Sequence, residues 1–169
     1  MRFLLFLILI TLSCIACTSK PKEQAAVPFK DLLENHYREW LGFYPMQATQ
    51  QGVAGYNDQL PIDVSEVFRE KLRAFYTRTK AALAQYDPAA MTPNDRISYD
   101  ILQWECDISL AGLQFPDNYL SVNQFWSLPL TFGQYGSGSG PQPFKTVQDY
   151  DNWLKRVAVF PVWCDSALT

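Results

Sequence analysis

From Thr92 to Phe115 apolar residues occupy two opposite sides of one helical period, and this doubled stripe limits the available folds more than any other feature. At about 100° per residue, Ile97, Ile101, Trp104, Ile108 and Phe115 fall on one side, and Tyr99, Leu102, Cys106, Leu110 and Leu113 on the other. Such a helix is predicted to lie sandwiched between two layers. Thr92, Pro93 and Asp95 mark its start: an N-cap hydroxyl, a proline at the first helical position and an acid in the first turn.

The rest of the chain supplies neighbours of the same kind. Phe29, Leu32, Leu33, His36, Tyr37, Trp40 and Tyr44 share one face of a first helix that Pro45 breaks, with Asp31, Glu34, Asn35 and Arg38 opposite. A short helical turn through Ala48 to Gln51 follows, closed by Gly52. From Ser65 to Tyr86 the stripe is Phe68, Leu72, Phe75, Tyr76, Thr79, Leu83 and Tyr86, while Glu66, Arg69, Glu70, Arg73 and Thr77 are predicted to face water. A last helix begins at the capping arrangement Thr146 to Asp149, with Val147, Tyr150, Trp153, Leu154, Val157, Phe160 and Cys164 on one face, and Pro161 is predicted to kink or end it. Between these helices, residues 116–145 lose all period and carry four prolines and the run Gly136 to Gly140, which reads as one long loop. No alternating segment argues for a sheet. The predicted class is all-α, a helical array of about four main helices with one long Gly/Ser/Pro-rich loop.

Residues 1–17 read as an export leader of the lipoprotein type, with Arg2 ahead of an apolar run too short to cross a bilayer. Cys17 after Ile15 and Ala16 is the expected lipidation site and Cys14 the lesser candidate; an ordinary secretory leader is the alternative. Residues 18–27 read as a flexible tether, and 28–169 as the folded part. A bacterial cell-envelope lipoprotein, held to the membrane by its lipid, is the expected location. The net charge of −3, without any basic cluster, argues against a nucleic-acid partner. Cys106 and Cys164 lie on apolar faces, so buried free thiols are expected rather than a bridge.

Catalytic machinery is hard to assemble from these residues. The one histidine, His36, sits on an apolar face, and no H-E-x-x-H occurs, so neither a catalytic residue nor a metal ligand is assigned. Gly136 to Gly140 spells G-S-G-S-G, yet no strand precedes it and no histidine is near in sequence, which argues against Ser137 or Ser139 as a nucleophile; the run also lacks the ending of a phosphate loop. Glu105 and Asp107 point about 200° apart on a helix. Glu105 falls within the Ile97, Ile101, Trp104 stripe, where it needs a partner such as an arginine to stay charged. Trp40, Trp104, Trp126, Trp153 and Trp163 suit a helical core or an aromatic groove. In the long loop, Asn123, Gln124, Gln134 and Tyr135, beside Phe125 and Trp126, are candidates to line a cleft for an extended peptide.

An ordered set of short motifs carries a resemblance. Phe29 to Leu33, Tyr37, Pro45, Ala48, Thr49 and Gly52, then Asp58 to Leu60, then Asp95, Arg96, Tyr99, Asp100 and Leu102, continue through Val122 to Gln124, Gly136 to Gly138, Pro143 to Thr146, Asp149, Tyr150, Trp153 and Leu154. Together they resemble the amino-terminal portion of the bacterial domain-of-unknown-function 885 family. The resemblance implies an exported, mainly helical protein, often a lipoprotein, whose complete members are several hundred residues longer. Their later part carries a zinc-binding helix of the H-E-x-x-x-x-H type and looks like a zinc metallopeptidase, with peptide or amide hydrolysis as the implied chemistry. None of those metal residues is present here, so zinc is implied only for the complete protein. On this reading residues 28–169 are the amino-terminal part of a truncated domain, whose missing carboxy-terminal helices would cover one apolar stripe. A stand-alone lipoprotein binding or interaction module without enzymatic activity is the alternative.

Overall fold

Prolines and side-chain caps set the boundaries of six α-helices among the residues that the computed structural model describes, 27–125 and 127–168. They are α1 (Phe29–Phe43), α2 (Pro45–Gln50), α3 (Glu66–Leu83), α4 (Pro93–Gly112), α5 (Leu128–Gly136) and α6 (Val147–Ala167), with 3-10 turns at Pro88–Ala90 and Asp117–Leu120. No strand occurs among the described residues, and the fold is all-α. The leader with Cys14 and Cys17, the tether up to Ala26, Trp126 and Thr169 lie outside the described residues.

Each cap satisfies backbone groups that a helix end leaves open. The Ser65 hydroxyl accepts the Phe68 N–H at 3.2 Å, and the Thr92 hydroxyl that of Asp95 at 3.2 Å. Thr146 and Asp149 form a reciprocal capping box at the start of α6. Gly52, at φ 73°, lets the Val53 N–H turn back to the Ala48 carbonyl at 2.9 Å and closes α2.

Helices α1 and α4 both run antiparallel to α3. His36 meets Thr79 and Phe43 meets Phe68 on one side; Arg69 meets Leu113 and Tyr76 meets Glu105 on the other. The core between them is apolar and aromatic: Leu72, Phe75, Tyr76 and Leu83 from α3, with Tyr99, Leu102, Cys106 and Leu113 from α4 and its end. Phe29, Leu32, Leu33, Trp40 and Phe43 close it from α1. Burying each large side chain contributes roughly 1.5–3 kcal/mol, so this layer carries most of the hydrophobic stabilisation.

The structure corrects several expectations. Helix α4 is not sandwiched among the described residues: its Tyr99, Leu102, Cys106 and Leu113 side is buried, but Ile97, Ile101, Trp104, Ile108 and Phe115 are exposed, Trp104 at 66%. Arg69 is buried rather than solvated, because the open carbonyls at the end of α4 lie within its reach. The long loop contains α5, whose Phe132 stacks on Trp153 and Phe160. The two ends of the Gly/Ser run are closely packed, while Ser137 to Ser139 between them are exposed. A Cβ on Gly136 would meet the Trp153 ring at 2.5 Å, and one on Gly140 the Gln134 carbonyl oxygen at 2.5 Å. Helix α6 continues through Pro161, which is exposed.

The packed side of α6 is the predicted one only in part: Trp153 and Phe160 pack on Phe132. Val147, Tyr150, Leu154 and Val157 are exposed, and Arg156 and Trp163 are buried instead. Cys164, about 100° around from Trp163, is left half-buried at the edge, while Cys106 is fully buried; both are free thiols.

Candidate functional site

A buried arginine attaches α6 to the rest of the chain. Arg156 has 0% of its surface exposed, and its guanidinium lies within hydrogen-bond distance of five acceptors, none of them a carboxylate among the described residues. It donates to the carbonyls of Gln59 at 3.0 Å, Pro45 at 3.2 Å and Tyr56 at 2.9 Å, to the Thr49 hydroxyl at 2.7 Å and to the Gln142 side-chain oxygen. Thr49 donates its hydroxyl to Asn57 Oδ1 at 2.9 Å, and Gln142 donates to the Asn57 carbonyl at 3.3 Å. Removal from water pushes the Arg156 pKa down to about 10, against the pull of Tyr135 and Asp58, and leaves it charged at neutral pH. One guanidinium thus gathers α2, the segment after it, the loop ahead of α6 and α6 itself.

That gathering places Asp63. The segment 56–63 is held at Tyr56 and Gln59 by Arg156, and at Ile62 by the Ser65 hydroxyl, which donates to its carbonyl at 2.7 Å. Seven residues beyond Arg156, on the same side of α6, Trp163 is buried and donates its indole N–H to Asp63 Oδ1 at 2.6 Å. Asp63 is open to water yet walled by protein, and this desolvation pushes its carboxyl above the usual aspartate value, opposed by the Trp163 N–H and two backbone N–H groups.

Asp63 opens into a groove of about 670 Å³ between the α1–α3–α4 layer and the α5–α6 side. Phe43, Tyr44, Phe68 and Trp163 give it aromatic walls, and Gln47, Gln50, Ser127 and Thr131 give it uncharged polar ones. Burial first, and then the neighbouring Tyr76 phenol, raise the Tyr44 phenol well above its ordinary value, so it stays protonated as a donor. Arg69, at one end, donates to the carbonyls of Leu113 at 3.1 Å and of Phe115, and pairs with Asp117. Asn118 donates to the Val64 carbonyl at 3.3 Å and to Glu66 at 3.0 Å, but its buried Oδ1 has no hydrogen-bond partner among the described residues.

Of the loop residues singled out from sequence, Tyr135 lines this groove and donates its hydroxyl to the Met46 carbonyl at 2.9 Å. Asn123, Gln124 and Gln134 are exposed and do not line it. Asn123 Oδ1 accepts the Phe125 N–H at 2.9 Å, a turn within the loop. Asp63, Tyr44 and Arg156 were missed. The single legible signal for Asp63 was its place two residues before the N-cap Ser65; nothing in helical period marks Arg156 as an interior residue.

His36 lies away from the groove. Its ring stacks on Phe75 at 4.8 Å, Nδ1 lies 3.3 Å from the Thr79 hydroxyl, and Nε2 lies 3.8 Å from Glu105. Glu105 therefore meets His36 and the Tyr76 hydroxyl, not an arginine. Cys106 is unsuited to attack: burial, then the Glu105 and Asp107 charges, push its thiol up to about 11. Among the described residues no group of three or more His, Cys, Asp and Glu is placed to hold a metal ion. No helix among them is long and apolar enough to cross a membrane.

A family model described as a bacterial protein of unknown function, DUF885, matches residues 45–169. The chain belongs to this family. The DUF885 match starts at Pro45, so it takes in α2 to α6, the Arg156 cluster and every groove residue except Phe43 and Tyr44. No curated protein and no solved structure matches the chain.

Proposed function

We propose that this chain is the amino-terminal helical region of an exported, membrane-tethered, zinc-metallopeptidase-like hydrolase, in which it forms one wall of the substrate channel. The groove carries the reading. It has room for several residues of an extended peptide, aromatic faces for side chains, and the Gln47, Gln50, Ser127 and Thr131 side chains for backbone hydrogen bonds. The exposed Ile97, Ile101, Trp104 and Ile108 stripe on α4 supports it as well, since an apolar face of this length is a natural seat for further helices of the same protein. The metal and the catalytic groups belong to that further part, and the lipid on Cys17 holds the assembly at the envelope.

The test compares this chain with the longer reading frame from the same locus, both produced with their leader and assayed for bound zinc and for hydrolysis of a mixed peptide library. The longer protein is expected to bind zinc and cleave peptides, with activity lost to a chelator. This chain alone is expected to bind peptides in the groove without cleaving them. A stop codon after Thr169, or zinc-dependent cleavage by this chain alone, would overturn the proposal. Peptide binding combined with a stop codon would instead favour a stand-alone binding module, because the groove is built entirely from this chain's residues.

A further inference from the structure

We propose that the groove selects peptides carrying a cation, an ammonium or guanidinium group, and that Asp63 is the residue that binds it. The inference rests on reading the groove as a peptide-holding wall and adds the chemistry of what it holds.

Charge balance within the groove is the first argument. Among the described residues its lining includes Asp63, Asp117 and Arg69 but no lysine or histidine. Arg69 is taken up by Asp117 and by backbone carbonyls, so these two charges cancel locally. Asp63 has no ion pair with any described lysine, arginine or histidine, and its side-chain contacts are N–H donors, foremost Trp163. The groove is left with one net negative charge at a fixed point.

The second argument is placement. Arg156 and Ser65 fix the backbone around Asp63, and the Trp163 bond fixes its Oδ1, so the carboxylate is oriented before any ligand arrives. It is open to solvent on the groove side. Tyr44 is close enough for the Asp63 charge to bear on its phenol, and Phe43, Phe68 and Trp163 line the same groove. A carboxylate among aromatic walls suits an alkyl stem ending in a cation: the stem packs on the rings and the head meets the charge. Desolvation already disfavours the ionised carboxylate, and a seated cation would reverse that push, so pairing at Asp63 relieves a penalty present in the free protein. An anionic side chain at the same place would be repelled.

The experiment measures binding of three short peptides to the whole chain by titration calorimetry at low salt: acetyl-Ala-Lys-Ala-amide, its norleucine counterpart, and the norleucine peptide with a free amino terminus. The first and third separate a side-chain cation from a terminal one. At least one cationic peptide is expected to bind about tenfold more tightly than the neutral acetylated peptide, the size of one charge-assisted hydrogen bond. That preference is expected to vanish in Asp63→Asn, which keeps an oxygen to accept the Trp163 N–H while removing the charge. Equal binding of all three peptides, or a preference that survives in Asp63→Asn, overturns cation selection but leaves the peptide-holding wall standing. Failure of all three to bind overturns both.

Discussion

Two regions of this chain are held together by different forces. The α1–α3–α4 layer is a hydrophobic core, with Phe75, Leu83 and Cys106 almost completely buried among other apolar and aromatic groups. The α6 side has its own aromatic stack of Phe132, Trp153, Phe160 and Trp163, but its attachment to α2 and the 56–63 segment is polar, centred on the Arg156 guanidinium with the Trp163–Asp63 hydrogen bond and the Lys155–Asp58 ion pair beside it. An apolar contact tolerates small shifts at small cost, whereas a buried cation surrounded by carbonyls holds only in one geometry. The groove lies along the boundary between the two, and Asp63 is placed by the polar side of it.

The sharpest way to break this contrast is Arg156→Met. Methionine has similar length but leaves the carbonyls of Pro45, Tyr56 and Gln59 and the side chains of Thr49 and Gln142 without their donor; urea unfolding is expected to show a loss of about 4 kcal/mol or more. A loss under about 1 kcal/mol would mean that the arginine is incidental. Phe75→Ala strikes the other region, removing a ring that contacts His36, Phe43 and Tyr76. Its expected cost is about 3–4 kcal/mol from lost burial and the cavity left behind, read in the same unfolding experiment.

Gly140→Ala probes the loop that delivers Gln142 to the arginine. The new methyl would press on the Gln134 carbonyl, which belongs to the α5 backbone and cannot swing aside, so a loss of about 1–3 kcal/mol is expected. Stability equal to the parent would show that the loop is slack.

Asp63→Asn is the mildest of the four and depends on pH. In the folded chain the carboxyl titrates above 3.8, so the native state holds this proton more tightly than the unfolded one. Its stabilising share is complete below 3.8 and is lost as the pH rises through the folded value. Asparagine is therefore expected to raise the melting temperature slightly at pH 7, with the advantage closing as both proteins are acidified below 3.8. An advantage that grows on acidification would reverse the sign of the argument.

Sequence period made one of these regions legible and not the other. The α3 stripe of Leu72, Phe75, Tyr76, Thr79 and Leu83 and the Thr92 and Thr146 caps could be read directly, because apolar burial and capping leave local, repeating marks. Arg69 and Arg156 defeated that reading. A pattern search treats any arginine as solvent-facing, and only the three-dimensional supply of carbonyls makes burial affordable for one. The same blindness misassigned part of α6: Trp153 and Phe160 do pack inward, but Val147, Tyr150, Leu154 and Val157 are exposed and Arg156 takes the interior place. The short α5 was hidden by its Pro129 and Gly133, since helices of nine residues give period too few turns to appear. At the groove, the sequence offered Tyr135 as a cleft residue and Trp163 as one suited to a core or an aromatic groove, but not Asp63, which depends on contacts 100 residues away in the chain.

Hydrogen exchange on the Arg156→Met variant, compared with the parent at equal temperature and pH, tests the two-force account most directly. Amides of α6 and of residues 56–63 are expected to lose most of their protection, while those of α3 and α4 keep theirs. A uniform loss across α3, α4 and α6, or unchanged protection in α6, would contradict the claim that one buried guanidinium holds the groove's polar wall in place.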